Sequence, residues 1–202
     1  MRRARLFLLT LCGVTIGASL YAVATIMSPT PPVASGGGAA SRPAIGGPFQ
    51  LVDTRGAPVT QADFAGKPSA IFFGFTHCPD VCPTTLMELA GLMRDLGADA
   101  DRLNAIFVSV DPERDTPSDL QAYVEAFDPR IRALTGSPEQ IRAMTDAFRV
   151  HVERVPLGDG YTIDHTASVY LMDGSNSFFG TISYEEDAQM ALAKLRRLVS
   201  AG

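Results

Sequence analysis

Residues 70–83, AIFFGFTHCPDVCP, set a fully apolar run against two cysteines four positions apart, Cys78 and Cys82. A continuous run such as Ala70–Phe75, closed by turn residues, reads as a strand buried on both faces of a sheet. The cysteines therefore stand where a central strand gives way to a loop or helix. Four residues of helix advance about 6 Å and nearly complete a turn. Both sulfurs can then face one side, near enough for a disulfide or for one shared metal ion. Pro79 and Pro83 stiffen the turn, and proline is tolerated in the first turn of a helix. A helix starting at Pro83 would place Cys82 at its positive end, where a thiolate is favoured.

Outward from this point, strands and helices alternate. Pro48–Val52 and Ala105–Val110 read as further strands, and residues 84–96 as a helix with Leu86, Leu89, Met93 and Leu96 on one face. Thr116-Pro117-Ser118-Asp119 has the order of an N-cap, a first-turn proline and a first-turn acid, and Ser137-Pro138-Glu139-Gln140 repeats that logic for a helix ending near Val150. Residues 167–172 and 178–183 flank the turn Asp173-Gly174-Ser175-Asn176 as a hairpin, and Glu185–Ser200 closes the chain as an amphipathic helix. Buried parallel strands with crossover helices, then a hairpin and a helix, predict an α/β protein of thioredoxin-like fold, a central mixed sheet flanked by helices. Met87, Met93, Met144 and Met172 are expected in its core.

The first 48 residues are of other material. Arg2, Arg3 and Arg5 precede 22 uncharged residues, Leu6–Met27. As a helix these span about 33 Å, enough for a hydrocarbon core of about 30 Å. Arginines stay on the cytoplasmic side, so residues 1–27 read as a cytoplasmic tip and transmembrane signal-anchor that sends the rest across the membrane. A cleaved signal peptide is the competing reading, because Ala22-Val23-Ala24 resembles a cleavage site. The apolar run continues past that site and favours the anchor. Cys12, inside the run, reads as a small hydrophobe. Residues 28–48 hold five prolines, five glycines and three serines, which makes them a linker; as a coil it reaches about 25 Å. Residues 49–202 suffice for one domain with a real core. A net charge of −5 and a pI near 5.1 leave no basic footprint for nucleic acid. Two cysteines are too few for a disulfide scaffold in an exported domain, so redox or metal chemistry is the better use for them.

Ligands in open α/β sheets collect at the carboxyl ends of the parallel strands. Cys78 and Cys82 follow one such end, and Asp111-Pro112-Glu113-Arg114-Asp115 follows the next. His165 precedes the strand 167–172, which is expected to run antiparallel, and so starts at that same edge. Of three histidines, His165 is thus the candidate third ligand, with Asp164 able to orient its ring. His77 lies within the cysteine motif, and packing or solvation is its ordinary role; His151 reads as a surface or partly buried histidine. For Asp111 and Asp115, loop and cap chemistry around Pro112 and Pro117 stands beside any functional role. Two thiolates and an imidazole suit Cu(I), and added nitrogen or oxygen donors also permit Cu(II). A structural zinc site would want a fourth protein ligand, for which there is no strong candidate.

Three blocks, FFGFTHCPDVCP (72–83), SVDPERDTP (109–117) and YTIDHTASVYLMD (161–173), resemble the signatures of the Sco/SenC proteins, copper proteins involved in assembling cytochrome c oxidase. The likeness runs from about Gly47 to about Val199. It implies a thioredoxin-like domain behind an N-terminal membrane anchor, with Cys78, Cys82 and His165 as copper ligands. It further implies delivery of copper to, or thiol reduction of, the binuclear copper site on oxidase subunit II. The expected place is a bacterial-type inner membrane, with the domain on the periplasmic or equivalent exported side. The chief rival is a thiol–disulfide reductase or peroxidase, with Cys78 and Cys82 as the redox pair. Against a general reductase stand the wide spacing, the absence of tryptophan and the lack of any proline after Pro156 to form a cis-proline loop. Against a peroxidase stands Phe75, where a threonine would be expected. A sensor with no delivery role is the third reading.

Overall fold

A computed structural model describes residues 44–201. The expected anchor, Leu6–Met27, and most of the expected linker lie outside the described residues. Among the described residues no helix is long and apolar enough to cross a membrane.

Nine strands are described, β1 (Gln50–Asp53), β2 (Pro58–Thr60), β3 (Ser69–Gly74), β4 (Asn104–Ser109), β5 (Ile131–Thr135), β6 (Val152–Leu157), β7 (Gly160–His165), β8 (Ser168–Met172) and β9 (Phe178–Ser183). Seven form one mixed sheet in the order β2-β1-β5-β4-β3-β8-β9, and β6 and β7 form a separate two-stranded sheet. β3, β4 and β5 run parallel, whereas β8 joins β3 antiparallel. The expected run is central and buried at every position, with Phe72, Phe73 and Phe75 among the largest side chains wholly withdrawn from water. A fully buried side chain of this size contributes roughly 1.5–3 kcal/mol. That burial explains why the run is apolar throughout instead of alternating.

Four α-helices accompany the sheet, α1 (Val81–Leu96), α2 (Pro117–Glu125), α3 (Pro138–Phe148) and α4 (Ala188–Ser200). The capping signals act as expected. The Thr116 hydroxyl accepts from the Asp119 backbone N–H at 3.3 Å, and Ser137 and Gln140 form a reciprocal capping box. α3 stops two residues before Val150, where Arg149 turns left-handed at φ 58° and the Val150 N–H closes on the Thr145 carbonyl at 2.9 Å. α4 begins at Ala188 instead of Glu185, because the Asp187 carboxylate caps the N–H groups of Gln189 and Met190. Leu86, Leu89, Met93 and Leu96 are buried along α1, and Met144 and Met172 are in the core. Met87 is not: it is 60% exposed, one position round the helix from Leu86 and outside the buried stripe.

β2, β5 and the β6–β7 hairpin gave no clear signal in the sequence. β5 reads IRALT, its apolar run interrupted by Arg132, whose guanidinium lies 5.0 Å from the Phe64 ring. β6 is exposed at every position, so no buried face imposed an alternation on it.

Candidate metal centre

β3 ends at Gly74, and α1 begins seven residues later. Between them the chain turns tightly, the Cys78 N–H reaching the Phe75 carbonyl at 3.3 Å. α1 starts at Val81, earlier than Pro83, so Cys82 lies within its first turn and is wholly buried, while Cys78 stands just outside it, half-buried. Cys82 can come so close to β3 because position 74 has no side chain. A methyl group there would lie 2.8 Å from Cys82 Sγ and 2.9 Å from the Phe107 ring. Gly74→Ala is therefore expected to cost about 1–3 kcal/mol through overpacking and to push the Cys82 sulfur out of place. Thermal unfolding and a copper titration on the same sample check this, and unchanged values in both would contradict the packing described.

The third element arrives from β7. His165 Nε2 is 3.4 Å from Cys82 Sγ, and donor atoms of Cys78, Cys82 and His165 all lie within 4.8 Å of one another. Two donors each about 2.0–2.3 Å from a common ion stand at most about 4.6 Å apart, so the three can meet one ion with little movement. No other group of three such residues converges among the described residues. His165 Nδ1 lies 3.2 Å from the Thr166 carbonyl. A carbonyl only accepts, so Nδ1 carries the proton and Nε2 turns its lone pair to the sulfurs, the tautomer a metal ligand needs. Phe75 and Phe72 hold the ring edge to face, at 5.8 and 6.1 Å between centroids.

The acidities of the two thiols differ, in the opposite sense to that expected. Cys78, not Cys82, is the acidic one. Its thiol is held well below the ordinary range, first by the hydrogen bond from Cys82, against the opposing effect of partial burial, and then by the N–H groups of Asp80 and Cys82. The Cys82 N–H points at Cys78 Sγ from 3.4 Å, so the helix start stabilises the sulfur in front of it. Cys82 is pushed far up by its bond to Cys78 and by burial.

Asp164 does not orient the ligand ring. Successive side chains of a strand point to opposite faces, and the Asp164 side chain is 70% exposed, 3.9 Å from His151. The Thr166 carbonyl takes the role instead. His77 is exposed, bonded to Thr76 Oγ1 at 3.0 Å and 3.6 Å from Asp115, and is not among the converging donors. His151 is exposed, as expected.

Asp111 and Asp115 do more than cap. Both are buried. Asp115 accepts from the Thr76 N–H at 3.1 Å, the Thr76 hydroxyl at 2.6 Å and the Ser109 hydroxyl at 2.6 Å, tying the cysteine loop to the end of β4. Asp111 accepts from the Tyr161 hydroxyl at 2.9 Å and from Arg114. A signal existed in the sequence, acids beside prolines after a buried strand, but their partners lie up to 50 positions away and only the fold supplies them.

Comparison with known proteins bears on the same residues. The SCO1/SenC family model matches residues 37–200. Sco1 of Schizosaccharomyces pombe is 40% identical over 159 residues, which cover 75% of this chain and 60% of that protein. SCO1 homolog 1 of Arabidopsis thaliana is 40% identical over 147 residues, 70% of this chain and 43% of that protein. The chain thus spans about half the length of the curated relatives it matches. Among solved structures, Bradyrhizobium japonicum ScoI with copper bound superposes with a TM-score of 0.72 at 49% identity, over 77% of this chain and 99% of that one. The match covers the whole described domain, the thioredoxin-like layout and all three donor residues, and on that extent the chain belongs to the SCO1/SenC family.

Proposed function

We propose that Cys78, Cys82 and His165 bind one copper ion, and that the protein uses it to help assemble the binuclear copper site of cytochrome c oxidase subunit II. The observation that carries this is the convergence of two sulfurs and an imidazole nitrogen within 4.8 Å. Soft thiolates select Cu(I), and the imidazole extends the site to Cu(II). The copper-bound ScoI relative supports the choice of metal. Copper here is cargo, and the protein is a chaperone before it is an enzyme. We place the domain on the exported side of the membrane, held by residues 1–27 through the linker 28–48, because the arginines and the uncharged run after them fit that topology. Anaerobic chelator competition on the reduced protein tests the site. One Cu(I) per chain, bound tightly, is expected. Absence of binding, or binding that survives loss of both cysteines, would remove the proposal.

One observation favours a second activity. Cys78 is half-exposed and acidic, and Cys82 is buried behind it and protonated, which is the arrangement of an attacking and a resolving thiol. The copper-free protein could reduce the cysteines of the same subunit II site. Disulfide exchange with an oxidised subunit II domain, read by thiol trapping, tests this.

A further inference from the structure

The β6–β7 hairpin bonds in register only to itself, and an isolated hairpin is marginal in water. It nevertheless carries His165, one of the three donors. Period 2 places Tyr161, Ile163 and His165 on one face of β7. Ile163 is buried, and Tyr161 is gripped from several sides. Its hydroxyl donates to Asp111 Oδ1 at 2.9 Å, its carbonyl accepts from Arg114 Nη1 at 3.0 Å, and the Arg114 guanidinium lies 3.8 Å from its ring centroid. Arg154 lies 4.0 Å from the same ring. Arg114 Nε donates to the buried Asp111 carboxylate, and the guanidinium stands 5.7 Å from the Phe75 ring. Phe75 in turn meets the His165 ring edge on at 5.8 Å. The contacts close a circuit: Phe75 at the end of β3, Arg114 after β4, Tyr161 on β7, and along β7 back to His165 and Phe75.

We propose that Arg114 is a positioning residue for the third copper ligand: fixed by Asp111 and stacked on Tyr161, it clamps the hairpin so that His165 Nε2 faces the two sulfurs. This rests on the copper-site reading above. Stability alone is a poor account of the cluster. A buried ion pair is often no better than apolar packing, and Arg114 Nη2 is buried with no hydrogen-bond partner. What the planar, forked guanidinium adds is geometry, since it fixes a carboxylate, a carbonyl and a ring at once, which the lysine ammonium cannot do.

The test uses the full-length reduced protein in detergent, with Cu(I) affinity by chelator competition and the sulfur-to-copper absorption band of the Cu(II) form. The variants are Tyr161→Phe, Arg114→Lys and the double change Asp111→Asn with Arg114→Met, which leaves no buried charge unpaired, each also made with His165→Ala. The double change is expected to lower affinity about 10- to 100-fold, the usual effect of losing a ligand's support, and to shift the band. Arg114→Lys should fall in the same direction, and Tyr161→Phe, which keeps the stack, by less. In the His165→Ala background these changes should add nothing, a non-additivity that a general loss of folding does not produce. A folded double variant with wild-type affinity and band would overturn the proposal, as would equal losses with and without His165. If the double variant does not fold, Arg114→Lys and Tyr161→Phe decide by the same criteria. His165→Ala binding copper like wild type would instead remove the three-donor reading, and the inference with it.

Discussion

Replacing His165 by alanine is expected to lower copper affinity by about 10- to 100-fold or more, taking the loss of a ligand's support as the lower bound. Assembly of the oxidase copper site should fail alongside it. The substitution removes the ring nitrogen that faces the sulfurs, Nε2. Asp164, His77 and His151 do not converge on the site. Disulfide exchange with a small thiol should change little, because Cys78 keeps its bonds to Cys82 and to the N–H groups of the helix start. The pair of measurements separates the two activities. Normal copper binding and an active oxidase in His165→Ala would leave thiol reduction as the better account of the protein.

Oxidation of Cys78 and Cys82 to a disulfide should abolish copper uptake, since it removes both thiolates in one step. The sulfurs already stand within 4.8 Å on either side of a helix start, and a disulfide needs them about 2 Å apart, so closure asks for only a local shift of the half-exposed Cys78. The reduced chain should bind copper and the oxidised chain should not, and added reductant should restore binding. Equal uptake by both forms would contradict the site. Selective alkylation adds a pH arm. The Cys78 thiol is depressed, so its reactive thiolate persists well below the ordinary thiol range, and the stability it contributes through the helix-start N–H groups is fully present above that range. The thiolate is lost only as pH falls through the lowered folded value, whereas its stabilisation, full above the ordinary thiol range, declines from that range downward and is gone once pH has fallen through the folded value. Alkylation at Cys78 should therefore remain fast in mildly acidic solution where a model thiol has stopped reacting, with Cys82, raised and buried, following slowly.

The run 70–75, the proline-stiffened cysteine turn and the Thr116 and Ser137 caps were legible because each acts locally: burial, backbone angle and capping involve neighbours in the chain. The position of His165 was legible through topology, since an antiparallel strand must start at the edge where parallel ones end. Four features were not. The hairpin 152–165 buries too little to show a pattern. A helix start at Pro83 points to Cys82 as the acidic thiol; the start at Val81 puts Cys82 inside the first turn and leaves Cys78 in front of it. Adjacency in the chain makes Asp164 able to orient the ring, but the alternation of the strand turns it to solvent. The knots of Asp111 and Asp115 join residues 39 and 50 positions apart, distances over which composition carries no sign of pairing.

The split of the donors between the sheet core and an appended hairpin gives the molecule two separate free energies, one for unfolding and one for undocking the hairpin. The sulfurs belong to the first, since β3 and α1 lie in the part of the fold with the most buried apolar surface and open only with the whole domain. The imidazole belongs to the second. How long a bound ion would be held is then decoupled from how stable the protein is: the domain can stay folded while an ion at this site exchanges on the timescale of one hairpin lifting.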